Sequence, residues 1–168
     1  EPDILTSAKG IADGFPLSAF TARADVGDAF TPGDHLSTFG GNPVSCAAAL
    51  ANIDVILDEK LPENAAARGE QIMTRMRRLQ EDCHLLGDVR GKGLMIGLEL
   101  VKDEVKTPAS AEAGHVRRLC REAGVLVGVG GSLANVVRIQ PPLILTEDEA
   151  DRVCTTLEKV CREVDGHR

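Results

Sequence analysis

Three features of the sequence predict a protein of the α/β class. A short apolar run at Ile4 and Leu5 leads to Lys9 and a glycine-rich segment, which is typical of a strand that ends in a turn. Apolar residues alternate over positions 94–100, which predicts a strand with one buried face. Apolar residues three or four positions apart recur over positions 150–164 and predict a helix. With 43% hydrophobic residues among 168, the chain can bury one core or two small ones.

The first 60 residues predict a strand pair followed by a helix. Residues 17–22 form a second apolar run, and the turn residues at 14–16 indicate that this strand pairs with the first. Asn42 is a favourable N-cap and Pro43 suits the first helical position, so a helix is expected over residues 43–57. Because this helix is rich in alanine and apolar on most faces, we expect it to be buried, and a contact between subunits is one place for it.

A long helix is predicted to connect two parts of the protein. Residues 62–82 and the position after them carry four apolar side chains spaced by four, three and four positions. These are Ile72, Met76, Leu79 and Cys83. Such a narrow apolar stripe is typical of a helix on a surface. We therefore divide the chain into a first domain over residues 1–60, a connecting helix over residues 61–86 and a second domain over residues 87–168.

The second domain is predicted to be a small α/β sandwich with its helices on one face. After the strand at positions 94–100, a helix is expected over residues 110–123, where a glycine follows. Two short strands are expected next, over residues 125–129 and 136–139, around a glycine-rich turn. Thr146 has a glutamate three positions later, which is the spacing of a capping box and starts the last helix.

Composition and charge argue against several classes of protein. The net charge is -7 and the 19 basic residues are scattered, which argues against nucleic acid or an anionic membrane as a partner. No apolar run is long enough to span a membrane. The five cysteines form no Cys-x-x-Cys pair, and the histidines lie at no zinc-ligand spacing. We therefore expect reduced thiols, no metal site and a cytoplasmic location.

Four residues at three places in the chain are candidates for chemistry. Lys9 follows a strand end among small neighbours, so its amine can form an imine with a flat ligand, although an exposed turn lysine is the simpler interpretation. Ser37 and Thr38 precede the helix at Pro43, whose free N–H groups and dipole favour an anion; a capped helix with nothing bound is the alternative. Arg138 is either a ligand for a carboxylate or a residue on the solvated face of an edge strand.

Four stretches of the chain, taken in order, resemble one known family. Residues 3–16 surround Lys9, and residues 37–43 read Ser-Thr-Phe-Gly-Gly-Asn-Pro. Residues 89–97 read Val-Arg-Gly-Lys-Gly-Leu-Met-Ile-Gly, and residues 137–143 read Val-Arg-Ile-Gln-Pro-Pro-Leu. Together they resemble the class III aminotransferases, the group that includes the alanine–glyoxylate, 4-aminobutyrate and ornithine aminotransferases.

The resemblance implies a fold and an organisation. The fold is that of the type I pyridoxal-phosphate transferases, in which residues 1–60 are the end of the large cofactor-binding domain and residues 87–168 are the small α/β domain. In the family, the aromatic residue stacked on the ring, the acid that pairs with the pyridine nitrogen and the glycine-rich phosphate turn all precede the lysine. We therefore expect the chain to be the C-terminal part of a longer protein and to be inactive alone.

The resemblance also assigns roles to four residues. Lys9 forms the Schiff base with pyridoxal 5'-phosphate and then serves as the general base that moves a proton. Thr38, with Ser37 beside it, binds the cofactor phosphate, which in these homodimers belongs to the neighbouring subunit. Arg138 binds the substrate carboxylate, for which a guanidinium offers two parallel hydrogen bonds.

The implied function is the transfer of an amino group between an amino acid, or an omega-amino acid, and a 2-oxo acid. Ala12 and Asp13 stand where ornithine-type members often have glycines, which favours the alanine–glyoxylate or 4-aminobutyrate side. A decarboxylase or aminomutase of the same family would share Lys9 and Thr38 and stays open as an alternative. So does a non-catalytic assembly module that has lost the site.

Overall fold

The computed structural model describes residues 1–166, which form two compact units. The first unit is Glu1–Lys60, and the second begins at Leu61. Lys60 lies at the boundary with a φ of 52°, in the left-handed region that non-glycine residues adopt only in turns. Each helix and strand belongs to one of these two units.

The first unit contains a strand pair, a short helix and a long helix. In chain order its elements are β1 (Ile4–Ala8), β2 (Ser18–Ala22), α1 (Ala24–Gly27) and α2 (Pro43–Asp58). The two strands pair antiparallel with Ala8 opposite Ser18, which confirms the predicted pair. The predicted start of α2 is also confirmed, because the Asn42 side chain accepts a hydrogen bond from the backbone N–H of Ser45 over 2.9 Å.

Helix α2 does not bury its large apolar side chains within the first unit, so our expectation of a buried helix, with a contact between subunits as one place for it, stays a prediction. The side chains that it turns inward are small, namely Ser45 and Ala49, followed on the same stripe by the half-buried Asn52. Leu50 and Leu57 are 64% and 65% exposed. The helix is apolar on most faces, and its periodicity alone does not indicate which face packs.

The second unit contains a four-stranded antiparallel sheet and three helices. Its strands are β3 (Leu86–Lys92), β4 (Met95–Leu100), β5 (Gly128–Gly130) and β6 (Val136–Ile139), in the order β3-β4-β6-β5. Its helices are α3 (Leu61–Asp82), α4 (Ser110–Glu122) and α5 (Glu147–Asp165). The predicted alternation in β4 is confirmed, since Ile96, Leu98 and Leu100 are buried. The predicted capping box is present at Thr146 and Glu149.

Two strands differ from the sequence-based expectation. Strand β3 was not predicted, because only Leu86 and Val89 of its seven residues are buried and a bulge interrupts its alternation. Strand β5 is shorter than the predicted strand over residues 125–129. Val125 belongs instead to the end of α4, where its N–H donates to the carbonyl of Cys120 over 2.8 Å and Gly124 adopts a φ of 80°.

One hydrophobic core joins the helices to one face of the sheet. Its fully buried members come from α3, α4 and α5 and from the central strands, for example Met76, Leu98, Val116, Val137 and Leu157. The helix that we expected to connect two domains packs against β3 and α5, so it lies within the second compact unit. On the opposite face of the sheet the residues are half-buried or exposed, among them Met95, Glu99 and Arg138.

Helix α3 approaches the β3–β4 turn very closely. A Cβ placed on Gly69 would lie 2.2 Å from the carbonyl oxygen of Gly93, which is far inside contact distance. Gly93 itself has a φ of 54°. Glycine at position 69 is therefore what allows the helix backbone to lie directly on the turn.

The helices show no sign of a membrane segment. Over residues 1–166, none is both long enough and apolar enough to cross a bilayer.

Candidate active site

Lys9 begins a 3₁₀ turn, Lys9–Ile11, directly after strand β1. Its φ is 55°, while Ala8 before it is extended with φ -157° and ψ -175°, so the chain turns sharply at the lysine. A non-glycine residue in the left-handed region is uncommon and indicates a position held by its surroundings. The Lys9 side chain is exposed, and among residues 1–166 its amine has no ion-pair partner.

Ser37 lies in a cleft of about 450 Å³ in the first unit. The cleft is also lined by Pro16, Leu17, Ser18, His35, Phe39, Gly40 and Gly41. Ser18 is the residue paired with Ala8, so the cleft reaches the strand position next to Lys9. A Cβ on Gly40 would lie 2.8 Å from the Cβ of Ser37, so the chain folds back here only because residue 40 is glycine.

The segment before α2 has groups of the kind that can bind an anion. The hydroxyl-bearing residues Ser37 and Thr38 are both exposed, and a helix of 16 residues begins five residues later. Asn42 caps this helix and also donates from its side-chain amide to the carbonyl of Phe39 over 3.2 Å, which fixes the approach to the helix. Hydroxyls beside a helix N-terminus fit a phosphate group, since the helix dipole favours negative charge there.

Arg138 lies on β6, on the sheet face away from the helices. Its strand neighbours in register are Gly97 on β4 and Gly128 on β5, so neither carries a side chain beside it. The Arg138 side chain extends over β5, where a Cβ on Gly130 would lie 3.0 Å from its Nε. Its guanidinium is exposed and makes no ion pair with any side chain of the described part of the chain.

A second arginine on the same face is already engaged. Arg90 on β3 is opposite Gly97, and its guanidinium contacts the carboxylates of Asp88 and Glu99 at 2.6 Å each. These two hydrogen bonds, with Asp88 the stronger influence, raise the pKa of Arg90 above its usual range. Of the two arginines in this row across the sheet, Arg138 is therefore the one whose fork can receive a carboxylate from a ligand.

The structure places the predicted site residues in two groups. Lys9, Ser37 and Thr38 belong to the first unit, and Arg138 belongs to the second. Ser37 lines the cleft in the first unit, whereas Lys9 and Thr38 are not among its lining residues. Over residues 1–166, no cluster of three or more His, Cys, Asp and Glu side chains is arranged to hold a metal ion.

Sequence reasoning missed one residue near Lys9. The Asn52 side chain on α2 donates to the carbonyl oxygens of Gly10 and Ile11, at 2.7 and 3.3 Å. The available signal was an amide three positions after Ala49 and seven after Ser45, on the inward stripe of a mostly apolar helix.

Comparison with known proteins decides the family. The model of the family "Aminotransferase class-III" matches residues 1–161 of the chain. The chain belongs to the class III aminotransferase family. Its α/β fold is the one found in solved structures of pyridoxal-phosphate-dependent aminotransferases. Both the resemblance and the fold class predicted from the sequence are confirmed.

Three similar proteins indicate the range of this family. An alanine–glyoxylate aminotransferase 2 homologue, mitochondrial, from Arabidopsis thaliana is 49% identical over 89% of the chain and 32% of its own length. A leucine/methionine racemase from Thermococcus litoralis is 41% identical over 100% of the chain and 38% of its own length. The solved structure of an amine transaminase from an uncultivated Pseudomonas species, in its PLP-bound form, is 38% identical and superposes with a TM-score of 0.86. The match covers 96% of the chain and 38% of the length of that transaminase.

The chain therefore spans between 32% and 38% of the length of these relatives. Pyridoxal phosphate is the cofactor of the class III aminotransferases. The residues of the first unit have the chemistry that such a cofactor needs: an exposed amine without an ion-pair partner at Lys9, and hydroxyls at Ser37 and Thr38 shortly before the N-terminus of α2.

Proposed function

We propose that this chain forms part of a pyridoxal-phosphate-dependent aminotransferase, in which Lys9 holds the cofactor. The observation that carries the proposal is the conformation of Lys9, an exposed lysine without an ion-pair partner, held in the left-handed region at the end of β1. Strand ends are where α/β proteins place chemical groups. In this family, an amine fixed at such a point is the group expected to bond the cofactor aldehyde.

Pyridoxal phosphate supplies an electron sink for bonds at the carbon that bears the amino group. The Lys9 amine would hold the cofactor covalently and, once a substrate amine has replaced it, would move a proton at that carbon. Ser37 and Thr38 would hold the phosphate through their hydroxyls and the N-terminus of α2. We propose that they act on the cofactor of the neighbouring subunit in a homodimer.

Arg138 would bind the carboxylate of an amino-acid or 2-oxo-acid substrate. Its exposed guanidinium has no competing acid in residues 1–166, and glycines on both neighbouring strands leave room for a ligand above it. A planar fork can form two parallel hydrogen bonds with a carboxylate. We propose that the donor is an amino acid or an omega-amino acid and the acceptor a 2-oxo acid.

The organisation and setting of the protein follow from the same proposal. Residues 1–60 would end the large cofactor-binding domain, residues 61–86 would lead out of it, and residues 87–168 would form the small domain of a longer enzyme. Exposed Leu50 and Leu57 on α2 support burial against a second copy. Five free cysteines support a cytoplasmic location. The scattered basic residues support a protein without nucleic acid or membrane partners.

Borohydride trapping in the holoenzyme tests the role of Lys9. Reduction in the presence of pyridoxal phosphate is expected to attach the cofactor to Lys9, as read by peptide mapping. Lys9→Ala should abolish both the attachment and amino transfer. Lys60→Ala is the matched control, because Lys60 lies in the same unit with a similar φ of 52°. Attachment to Lys60, or to any other lysine with Lys9 unmodified, would contradict the proposal.

Racemisation is the second candidate function. It is favoured by the 41% identity to the leucine/methionine racemase over the full chain. Both reactions use an amine that moves a proton at the substrate carbon, so Lys9 alone does not distinguish them. Two incubations of the holoenzyme with an L-amino acid separate these reactions. Without an acceptor, the D-amino acid is measured; with a 2-oxo acid added, the newly formed amino acid is measured. Accumulation of the D-form without an acceptor would favour the racemase.

A further inference from the structure

We infer that Asn52 is a positioning residue that fixes the turn carrying Lys9, an inference that rests on the proposed role of Lys9. The Asn52 side-chain amide donates to the carbonyl oxygen of Gly10 over 2.7 Å and to that of Ile11 over 3.3 Å. These are the two residues that follow Lys9 in its 3₁₀ turn. One side chain on α2 therefore holds two consecutive peptide groups of the turn.

Asn52 pairs with carbonyl groups that have no partner within the turn. A three-residue turn leaves its last carbonyl groups without partners inside the turn. The carbonyl of Lys9 accepts a hydrogen bond from the N–H of Ala12 over 3.3 Å. The next two carbonyls, of Gly10 and Ile11, are the ones that Asn52 satisfies. Asn52 thus completes the hydrogen bonding that keeps the turn in one conformation.

The conformation of Lys9 requires such support. Its left-handed backbone is unfavourable for a residue with a side chain and persists only when the surrounding structure fixes it. Gly10 after it is unrestrained by packing, since a Cβ there would meet no atom within 4 Å. Ala12, at 2% exposure, anchors the far end of the turn. Between these points, the bonds from Asn52 are what hold the chain in place.

Helix α2 is a rigid platform for this contact. Asn52 lies on the same helix stripe as the buried Ser45 and Ala49, at spacings of four and three positions. The helix begins at Pro43, so the cap at Asn42 and the amide at position 52 are about 15 Å apart along one axis. A loss of the contact would let the turn move against this platform. The Lys9 amine would then be displaced from the reacting atoms.

The test replaces Asn52 in the complete holoenzyme. Asn52→Leu keeps the number and branching of the side-chain heavy atoms without a donor, Asn52→Ala removes the side chain beyond Cβ, and Asn52→Gln keeps an amide donor. For the Leu and Ala variants, kcat should fall by roughly 10- to 100-fold, as expected when a reacting group is misplaced by about 1 Å. KM for the carboxylate substrate should change little, and borohydride reduction of the cofactor onto Lys9 should slow. Asn52→Gln should recover part of the kcat.

Asn64→Ala is the matched control. The Asn64 amide bridges two backbone carbonyls in the same way, those of Leu143 at 2.7 Å and Leu145 at 3.0 Å, but within the second unit. This variant loses an equivalent pair of hydrogen bonds away from Lys9. It should retain the kcat and the reduction rate of the unmodified enzyme, even where its thermal stability falls.

Three results would overturn the inference. The first is an unchanged kcat and reduction rate in both Asn52→Leu and Asn52→Ala. The second is a loss in these variants no larger than that of Asn64→Ala, which would show a general effect on stability. The third is wild-type enzyme that attaches the cofactor to a lysine other than Lys9. Only this last result would also contradict the proposed function. The wild-type peptide map therefore distinguishes a failure of the inference about Asn52 from a failure of the proposed role of Lys9.

Discussion

The close approach of α3 to the β3–β4 turn gives the sharpest prediction about stability. Gly69→Ala would place a Cβ 2.2 Å from the carbonyl oxygen of Gly93 and 2.4 Å from its carbonyl carbon. These are backbone atoms that cannot rotate away, so the helix and the turn must separate. This turn connects β3 and β4, and β4 pairs with β6, the strand that carries Arg138.

The expected magnitude is the difference between two opposing effects. Forcing extra volume into a packed site costs about 1–3 kcal/mol, and a backbone overlap belongs at the upper end of that range. Replacing glycine by alanine within a helix returns about 1 kcal/mol. The net loss is therefore about 2 kcal/mol in the free energy of unfolding. At roughly 2–4 °C for each kcal/mol, Tm should fall by about 4–8 °C.

Gly114→Ala is the matched control, because Gly114 also lies within a helix, α4, and a Cβ there would meet nothing within 4 Å. It should gain about 1 kcal/mol, so the two variants should differ by about 3 kcal/mol and in sign. Urea unfolding followed by circular dichroism measures the free energy of unfolding of each variant. The two values are compared with the same slope m against urea concentration. Equal stabilisation by Gly69→Ala and Gly114→Ala would refute the reasoning about close approach.

Four further predictions concern the site and the core. Thr38→Ala should weaken cofactor retention by roughly 1–3 kcal/mol, measured as the dissociation constant, while turnover at saturating cofactor changes less. Arg138→Lys should raise KM for donors with a carboxylate but spare a donor amine without one, because lysine keeps the charge and loses the fork. Burial raises the pKa of Cys120 and Cys154 to about 11, so a disulfide reagent at pH 8 should modify the half-buried Cys46 first, as read by mass spectrometry. The isolated 168-residue chain should keep a folded second unit, shown by slow amide exchange, and should produce no amino acid from a 2-oxo acid.

The parts of the fold that the sequence predicts correctly depend on local signals. The cap at Asn42 and the capping box at Thr146 involve residues within one helical turn, so their chemistry can be recognised without knowing the rest of the chain. The stripe through Ile72 and Met76 is similarly local, because its period identifies a helix and its inward face together.

The parts that the sequence does not predict depend on partners distant in the chain. Strand β3 has glycines and a bulge where an alternating pattern would be needed, and its pairing with β4 makes it a strand. Val125 looks like the start of a strand, but its N–H completes the end of α4. The large apolar side chains of α2 indicate burial without indicating against what. In each case the deciding contact is absent from the local pattern.

The candidate site shows the same division. Lys9, Thr38 and Arg138 could be selected from the sequence because each lies in a stretch that resembles the family. Asn52 could not, because its place on the inward stripe of α2 marks only a half-buried amide, and its contact with the Lys9 turn joins residues about forty positions apart.

The distribution of buried apolar residues explains why such polar contacts matter in the first unit. Apart from Ala12 and Ala49, the buried apolar residues of the described chain belong to the second unit, whose core includes the sheet and all three helices. A region with few buried apolar contacts opens more easily than one with a packed core. The turn at Lys9 is therefore fixed less by packing than by hydrogen bonds, those from Asn52 above all. For a group that must sit within a fraction of an ångström of its target, the loss of one amide can then cost more in rate than in stability.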